Sequence, residues 1–559
     1  MAKQTENLGE RAAETTTALN PIIGVRSADL VKSLGVVMAH AARQPAPFAK
    51  HFGNYSKELF DIAIGKSELA PDKKDRRFQD PTWKYNPLYK RGLQSWIAMR
   101  KGLEGWVDDS GVDEADRTRA HFILNLIADS LAPTNTFIGN PAALKRLYET
   151  GGLSLVKGLK NAYEDIRHNG GMPSQVDSRP FKVGENLATT PGAVVFKNEM
   201  LEIIQYKPTT DEVYEVPILV VPPQINKFYA NDLSPDKSVV RYLLSKGMQI
   251  FTVSWRNPQK KHAAWGLEDY VSALIEASDA ILKITKSKKL NVSGACSGGI
   301  TMASFLNELT ARKKDIVNCY TLQVCVLDPH QDDSEVGLFV SDAAIEGARK
   351  QSRKKGILSG DDLSRSFAWL RPNDLIWNYV VNNYLMGNDP PPFDILYWNN
   401  DTTNLPAQLH SDYLDVFGDK RFAEPGNVDF MDHKVDLTKI KQDAFMVAAI
   451  TDHITPWRAC YRNVHLFGGD IEFVLSNSGH LQALLNPPGN PKAQYFTNKD
   501  LPQTPDEWME NASPVQDSWW PRWTEWLGER SGEMKSAPKS LGNKTYAPIC
   551  AAPGEYVFG

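Results

Sequence analysis

Cysteine is scarce in this 559-residue chain. The five present, Cys296, Cys319, Cys325, Cys460 and Cys550, are odd in number and lack C-x-x-C spacing. That usage points to a reducing cytoplasm and argues against a disulfide framework or a zinc site, so no metal is expected. Charge of one sign is lacking too: a formal net charge of −4 removes the electrostatic case for nucleic acid as a partner. No uninterrupted apolar run approaches the ~18 residues of a membrane span. The polar stretch Met1 to Ala18 has no apolar core of signal-peptide length, so neither a transmembrane segment nor an export signal is expected. Internal repeats are also missing. A hydrophobic content of 42% with 23% charged residues is that of an ordinary globular protein, long enough for more than one domain.

Along the chain, two regimes follow each other. Residues 1 to about 180 read as mainly helical, with apolar-periodic segments at Leu30 to Ala42 and Ala120 to Leu131 separated by an aromatic and proline-rich connector, Arg77 to Tyr89. This predicts an accessory helical domain used for association. From Gly192 the period changes. Val194 to Lys197 and Met200 to Tyr206 predict a hairpin turning at Asn198-Glu199. Val216 to Val221 is a continuous apolar run of the buried-strand kind. A helix (Ser238 to Ser245), a strand (Gln249 to Ser254) and a helix (Leu267 to Ile284) follow, and Val317 to Leu327 reads as a further buried strand. Such alternation predicts a mostly parallel sheet. The pattern then stops from Asp328 to about Lys441, a helical, aromatic-rich insertion suited to a lid over a greasy substrate path. It resumes with a strand at Ala444 to Ile450, a helix at Trp457 to Leu466 and a strand at Glu472 to Leu475.

Between the Leu267 helix and the Val317 strand lies Gly294-Ala295-Cys296-Ser297-Gly298, preceded by the strand-like Leu290 to Ser293 and followed by a helical pattern from Ile300. Strand, sharp turn and helix around a G-x-C-x-G is the form of the nucleophile elbow of α/β-hydrolases, G-x-S-x-G, with cysteine at the nucleophile position. In that fold the order is nucleophile, acid, histidine, each just past a parallel strand. Cys296, Asp452 and His480 occur in this order and setting. His480 would take the thiol proton, and Asp452 would orient and stabilise its imidazolium. His453, next to Asp452, reads as a supporting or structural neighbour. The remaining cysteines fall within a strand (Cys319, Cys325), a helix (Cys460) or the tail (Cys550) and read as structural. One oxyanion donor would be the N–H of Ser297. The other would come from the loop after Val221, from Gln224, Ile225 or Asn226.

Cysteine at the elbow has an energetic consequence. A thiolate attacking a thioester yields another thioester, so the acyl group stays activated and its transfer to an alcohol is downhill. A serine ester would give little drive for repeated ester formation. Cys296 therefore suits an acyltransferase that moves acyl groups from thioester to hydroxyl. A hydrolase with G-x-C-x-G, taking water as acceptor, would use the same triad.

These residues resemble the polyhydroxyalkanoate synthases over most of the chain. The similarity rests on Gly294 to Gly299, Val221-Pro222-Pro223-Gln224-Ile225-Asn226-Lys227-Phe228-Tyr229, Ser254-Trp255-Arg256-Asn257-Pro258, Arg371 to Trp377 and Asp452-His453-Ile454-Thr455-Pro456-Trp457. Length and the runs at 170–176 and 486–491 are most similar to the class II enzymes of pseudomonads. The resemblance implies an α/β-hydrolase fold at 181–559 with a cap at about 328–441, behind a helical N-terminal domain at 1–180. It implies polymerisation of (R)-3-hydroxyacyl-CoA, mainly medium-chain-length, with CoA release and no cofactor beyond the thioester substrate. Catalysis would fall to Cys296, Asp452 and His480, with the acid also helping to activate the 3-hydroxyl. A homodimer is implied, on cytoplasmic polyester granules contacted through the N-terminal domain. Two other readings stand beside it: a cysteine-dependent acyl-CoA thioesterase or polyester hydrolase, with the same triad and water as acceptor, and a non-catalytic granule-coat protein, which would need no triad. Val324 to Asp333 departs from the family's expected small or hydroxyl residues, which bears on acyl-chain selection. Arg256, Lys227 and the run Arg349, Lys350, Arg353, Lys354, Lys355 are conceivable phosphate partners, although such runs more often form solvated faces.

Overall fold

The computed structural model describes residues 45–330, 333, 342–370 and 372–559. The predicted helix at Leu30 to Ala42 lies outside them. The first described segment is helical: α1 (Pro45–Ala63), α2 (Pro87–Asp108), α3 (Glu114–Ser130), α4 (Pro141–Glu149) and α5 (Leu153–His168). Local chemistry sets their starts. Asn86 and Asn140 each accept two backbone N–H groups ahead of a proline in the first turn, and the Asp113 carboxylate accepts from Asp116.

An eleven-stranded sheet follows. The first strands are β1 (Gly192–Lys197), β2 (Leu201–Tyr206) and β3 (Ile218–Val221). Helix α6 (Val239–Ser245), β4 (Ile250–Trp255) and α7 (Leu267–Thr285) come next. After them run β5 (Leu290–Ala295), α8 (Ser297–Ala311) and β6 (Val317–Gln323). Within the insertion are α9 (Asp342–Lys355), α10 (Gly360–Leu370), two π-helical turns at Asn373–Trp377 and Val380–Leu385, α11 (Asp394–Asn400) and α12 (Ala407–Gly418). The sheet resumes with β7 (Asp443–Ala449), α13 (Trp457–Arg462), β8 (Ile471–Ser476) and α14 (His480–Leu484). Strands β9 (Tyr495–Thr497) and β10 (Ser513–Val515), helix α15 (Trp520–Arg530) and edge strand β11 (Cys550–Ala551) complete it.

The strand order is β10-β9-β8-β7-β6-β5-β3-β4-β2-β1-β11. The six central strands, β4 to β8 through β3, pair in parallel, and the flanking pairs are antiparallel. Strands β4 and β5 are buried at every position because helices cover both faces of the sheet. Residues of α7 and α8 pack on one face, and those of α6 and α15 pack on the other.

Two expectations shift. The hairpin turns one residue later, at Glu199-Met200: Asn198 N–H donates to the Leu201 carbonyl, and its side chain accepts from Met200 and Leu201. Strand β6 ends at Gln323 instead of Leu327, because Val324 takes a positive φ of 41°. That turn sends the Val324 N–H to the Val447 carbonyl and drops its side chain among Ala295, Ala449, Ala483 and Leu484. The tryptophan-rich segment near the C-terminal end belongs to the core: Trp519, Trp520, Trp523 and Trp526 are buried, and the Trp519 indole donates to the Ala483 carbonyl of α14.

Candidate active site

Cys296 stands at the C-terminal end of central strand β5, at φ 51° and ψ −124°. A side-chain-bearing residue reaches this region at a cost of about 1–3 kcal/mol, so its surroundings must hold it there. The Cys296 N–H donates to the Gln323 carbonyl of β6, and α8 begins at the next residue. Close packing demands glycine around the turn. A Cβ on Gly298 would lie 2.3 Å from the Val221 carbonyl oxygen, and one on Gly299 would lie 2.7 Å from the Cys325 sulfur. The elbow therefore sits against both the end of β3 and the turn after β6.

Asp452 lies in the loop after β7, and His480 opens α14 after β8. The His480 Nδ1 and Asp452 Oδ2 atoms are 2.6 Å apart, with both residues buried. Two backbone N–H groups, of Ile454 and Thr455, donate to Asp452 Oδ1 at 2.8 and 3.0 Å. The Thr455 hydroxyl donates to Oδ2 at 2.6 Å and lies 3.1 Å from His480 Nδ1. Burial pushes the His480 imidazolium down, but the charge and hydrogen bond of Asp452, joined by a hydrogen bond with the Cys296 side chain, outweigh it and raise it to about 10. The structure thus sets the Cys296 thiol at the end of β5 and pairs the His480 imidazole with the Asp452 carboxylate beyond the ends of β8 and β7.

Thr455 is the neighbour that the sequence reading missed. His453 was singled out there, but its side chain is exposed, whereas the Thr455 hydroxyl touches both members of the pair. An acid at a strand end with threonine three positions on is the signature of a side-chain-closed turn, and would have drawn attention to Thr455.

The loop after β3 runs beside the elbow. The Gln224 side chain accepts from the Ser297 hydroxyl at 3.2 Å and from Tyr413 at 2.7 Å, and donates to Thr301 at 2.9 Å. Among the other cysteines, Cys319, Cys325 and Cys460 are buried. Burial pushes the Cys319 thiol up to about 12 and the other two well above the ordinary thiol range. Of the basic residues noted in the sequence, Arg256 lies 4.1 Å over the Tyr556 ring, Lys227 donates to the Gly559 carbonyl, Arg349 pairs with Asp415 and Lys355 with Asp362, while Lys350, Arg353 and Lys354 are exposed. Among the described residues no group of three His, Cys, Asp or Glu side chains could hold a metal ion, and no helix is long and apolar enough to cross a membrane.

Known proteins resemble this chain along nearly its whole length. Residues 74–243 match the family described as poly-beta-hydroxybutyrate polymerase N-terminus, and residues 217–487 match the α/β-hydrolase fold. Over 555 residues the chain is 52% identical to poly(3-hydroxyalkanoate) polymerase 1 of Ectopseudomonas oleovorans, covering 99% of each protein. It is 48% identical over 547 residues to polymerase 2 of the same organism, covering 98% of this chain and 97% of that one. To the poly(3-hydroxyalkanoate) polymerase subunit of Cupriavidus necator it is 36% identical over 561 residues, covering 99% and 92%. The chain belongs to the poly(3-hydroxyalkanoate) polymerases, acyltransferases on an α/β-hydrolase fold preceded by a helical N-terminal region.

Proposed function

We propose that the protein polymerises (R)-3-hydroxyacyl-CoA, mainly of medium chain length, through an acyl thioester on Cys296. The observation that carries this reading is the buried, hydrogen-bonded Asp452–His480 pair together with a cysteine on a strained turn at the end of a central strand. The Cys296 thiolate attacks the thioester carbonyl. The C–S bond to CoA breaks as the tetrahedral intermediate collapses, and the leaving sulfur takes the proton of the His480 imidazolium. Neutral His480 then accepts the 3-hydroxyl proton of the next unit as that oxygen attacks the acyl-Cys296 carbonyl. Thiolate and imidazolium are restored together, so the proton count closes over each cycle. Asp452 holds the ring tautomer and stabilises the imidazolium in both half-reactions. The oxyanion is assigned to the N–H groups of Ser297 and Ile225. The substrate is itself the CoA thioester, and the mechanism requires no further cofactor.

The insertion at about 328–441 is assigned as the cap and residues 1–180 as the domain for association and granule contact, in a cytoplasmic homodimer on polyester granules. Helix α5 supports that contact. Its buried residues are the small or polar Ser154, Gly158 and Asp165, while Leu153, Val156, Leu159, Tyr163 and Ile166 are more than half exposed. An apolar polyester surface would cover that face.

Polymer and CoA yields on (R)-3-hydroxyoctanoyl-CoA and (R)-3-hydroxybutyryl-CoA test the substrate assignment. Polymer is expected from both, with the C8 unit faster. CoA accompanied only by free hydroxy acid would mean a thioesterase, and a faster C4 unit would reverse the chain-length assignment.

Thr455 carries a smaller prediction. Thr455→Val removes one donor to Asp452 while both backbone donors stay, and a hydrogen bond to a charged group contributes about 1.5–3 kcal/mol. Roughly a tenfold loss of CoA release rate is expected on that scale, with recovery in Thr455→Ser. An unchanged rate in Thr455→Val would remove the threonine from the account.

A further inference from the structure

The loop after β3 is tied along its length to the insertion. Thr403 donates its hydroxyl to the Gln224 carbonyl at 2.5 Å and its N–H to the Ile225 carbonyl at 3.1 Å. Asn226 forms a β-bridge with Thr402. The Trp398 indole donates to the Lys227 carbonyl at 2.7 Å, and the Tyr229 hydroxyl donates to Asp401 at 2.8 Å. From α12, Tyr413 reaches the Gln224 side chain. Thr403, Gln224 and Tyr413 are all buried, so water does not compete for these bonds.

One of these bonds has a specific geometric effect. The Gln224 carbonyl and the Ile225 N–H belong to the same peptide unit, which is planar and trans, so the two groups point in opposite directions. A donor that fixes the carbonyl thereby fixes the direction of the N–H. The Thr403 bond to the Ile225 carbonyl holds the next peptide, so the backbone is gripped on both sides of residue 225. We propose that Thr403 is a positioning residue that aims the Ile225 N–H at the oxyanion, so that seating of the insertion and assembly of the oxyanion hole are one event. This rests on the reading of Ile225 as an oxyanion donor in a Cys296 acyltransferase.

The test uses the full-length enzyme and three variants, Thr403→Val, Thr403→Ser and Cys296→Ala. The probe is an analogue of 3-hydroxyoctanoyl-CoA in which a difluoromethylene group replaces the thioester sulfur, giving an electrophilic ketone that still joins the acyl chain to CoA. Addition of the Cys296 sulfur to its carbonyl carbon moves the π electron pair onto oxygen and leaves an oxyanion. Free CoA serves as the ground-state ligand. Losing an oxyanion donor outright costs about 10²–10³ in rate; a misaimed donor in Thr403→Val is expected to cost roughly 30-fold on the same scale. Affinity for the ketone should fall by a similar factor, affinity for CoA should stay within about twofold, and Thr403→Ser should recover both rate and ketone affinity. Wild-type ketone affinity in Thr403→Val would overturn the proposal, as would equal losses for ketone and CoA, or a loss that follows melting temperature without recovery in Thr403→Ser. If Cys296→Ala binds the ketone as tightly as wild type, the acyl-cysteine reading itself falls, and this proposal with it.

Discussion

Cys296→Ala is expected to abolish both CoA release and polymer formation, by at least about 10⁴-fold, while the protein stays folded. Removing the nucleophile of a triad leaves only binding and the oxyanion donors to act on the substrate, and water is not held in place of the sulfur. No other thiol can take over. Cys319, Cys325 and Cys460 are buried, with burial pushing each above the ordinary thiol range, and Cys550 lies in edge strand β11. Cys296→Ser separates nucleophilicity from drive: an acyl-serine would be an oxyester, close in energy to the oxyester product, so slow acylation without sustained chain growth is expected. CoA release and recovered polymer, measured on the same samples, check both variants. Polymer made by Cys296→Ala at more than a trace would place the chemistry elsewhere.

Asp452→Asn has the second-largest expected effect, a fall of about 10³–10⁴ in CoA release rate, the scale set by loss of the orienting carboxylate in other triads. The physical reason is in the balance at His480. Burial alone would lower the imidazolium, and the principal opposing influence is Asp452, which together with Cys296 holds it at about 10. Without the carboxylate, burial wins, the tautomer is no longer set, and no imidazolium is available to protonate departing CoA. The same balance fixes a sign for stability. Because the folded-state value lies above the ordinary 6.5, the stabilising contribution is fully present below about pH 6.5 and is lost as pH rises through about 10. Melting temperatures across that window should decline for the wild-type protein, with the part due to this pair missing in Asp452→Asn. Parallel melting curves for the two proteins would contradict the assignment.

The elbow was legible because a strand run, small residues and a helical run meet at Cys296 within a few positions. Asp452 and His480 were legible for a related reason: each directly follows an apolar run that had to be a buried strand. Local patterns failed where tertiary partners decide. Val324 to Leu327 reads as a continuation of the strand, yet the packing space among Ala295, Ala449 and Ala483 turns the chain at Val324. Likewise, the grip of Thr403 and Tyr413 on Gln224 joins positions far apart in the chain, and no sequence period encodes it. The role of the tryptophan cluster was hidden for the same reason, since it depends on the carbonyl of Ala483 that Trp519 finds. His453 and Thr455 illustrate the limit of proximity in sequence: the residue beside Asp452 faces outward, and the one three positions on closes the turn.

The central claim is a covalent acyl group on Cys296 that passes to a hydroxyl. The most direct measurement is acid quenching of the enzyme during turnover of (R)-3-hydroxyoctanoyl-CoA, followed by proteolysis and mass spectrometry of the peptide that contains Cys296. The account predicts that this peptide carries one or more 3-hydroxyoctanoyl units in a thioester cleaved by hydroxylamine, and that the unmodified form returns once substrate is exhausted and the chain released. An unmodified Cys296 peptide throughout turnover, with polymer accumulating, would contradict it.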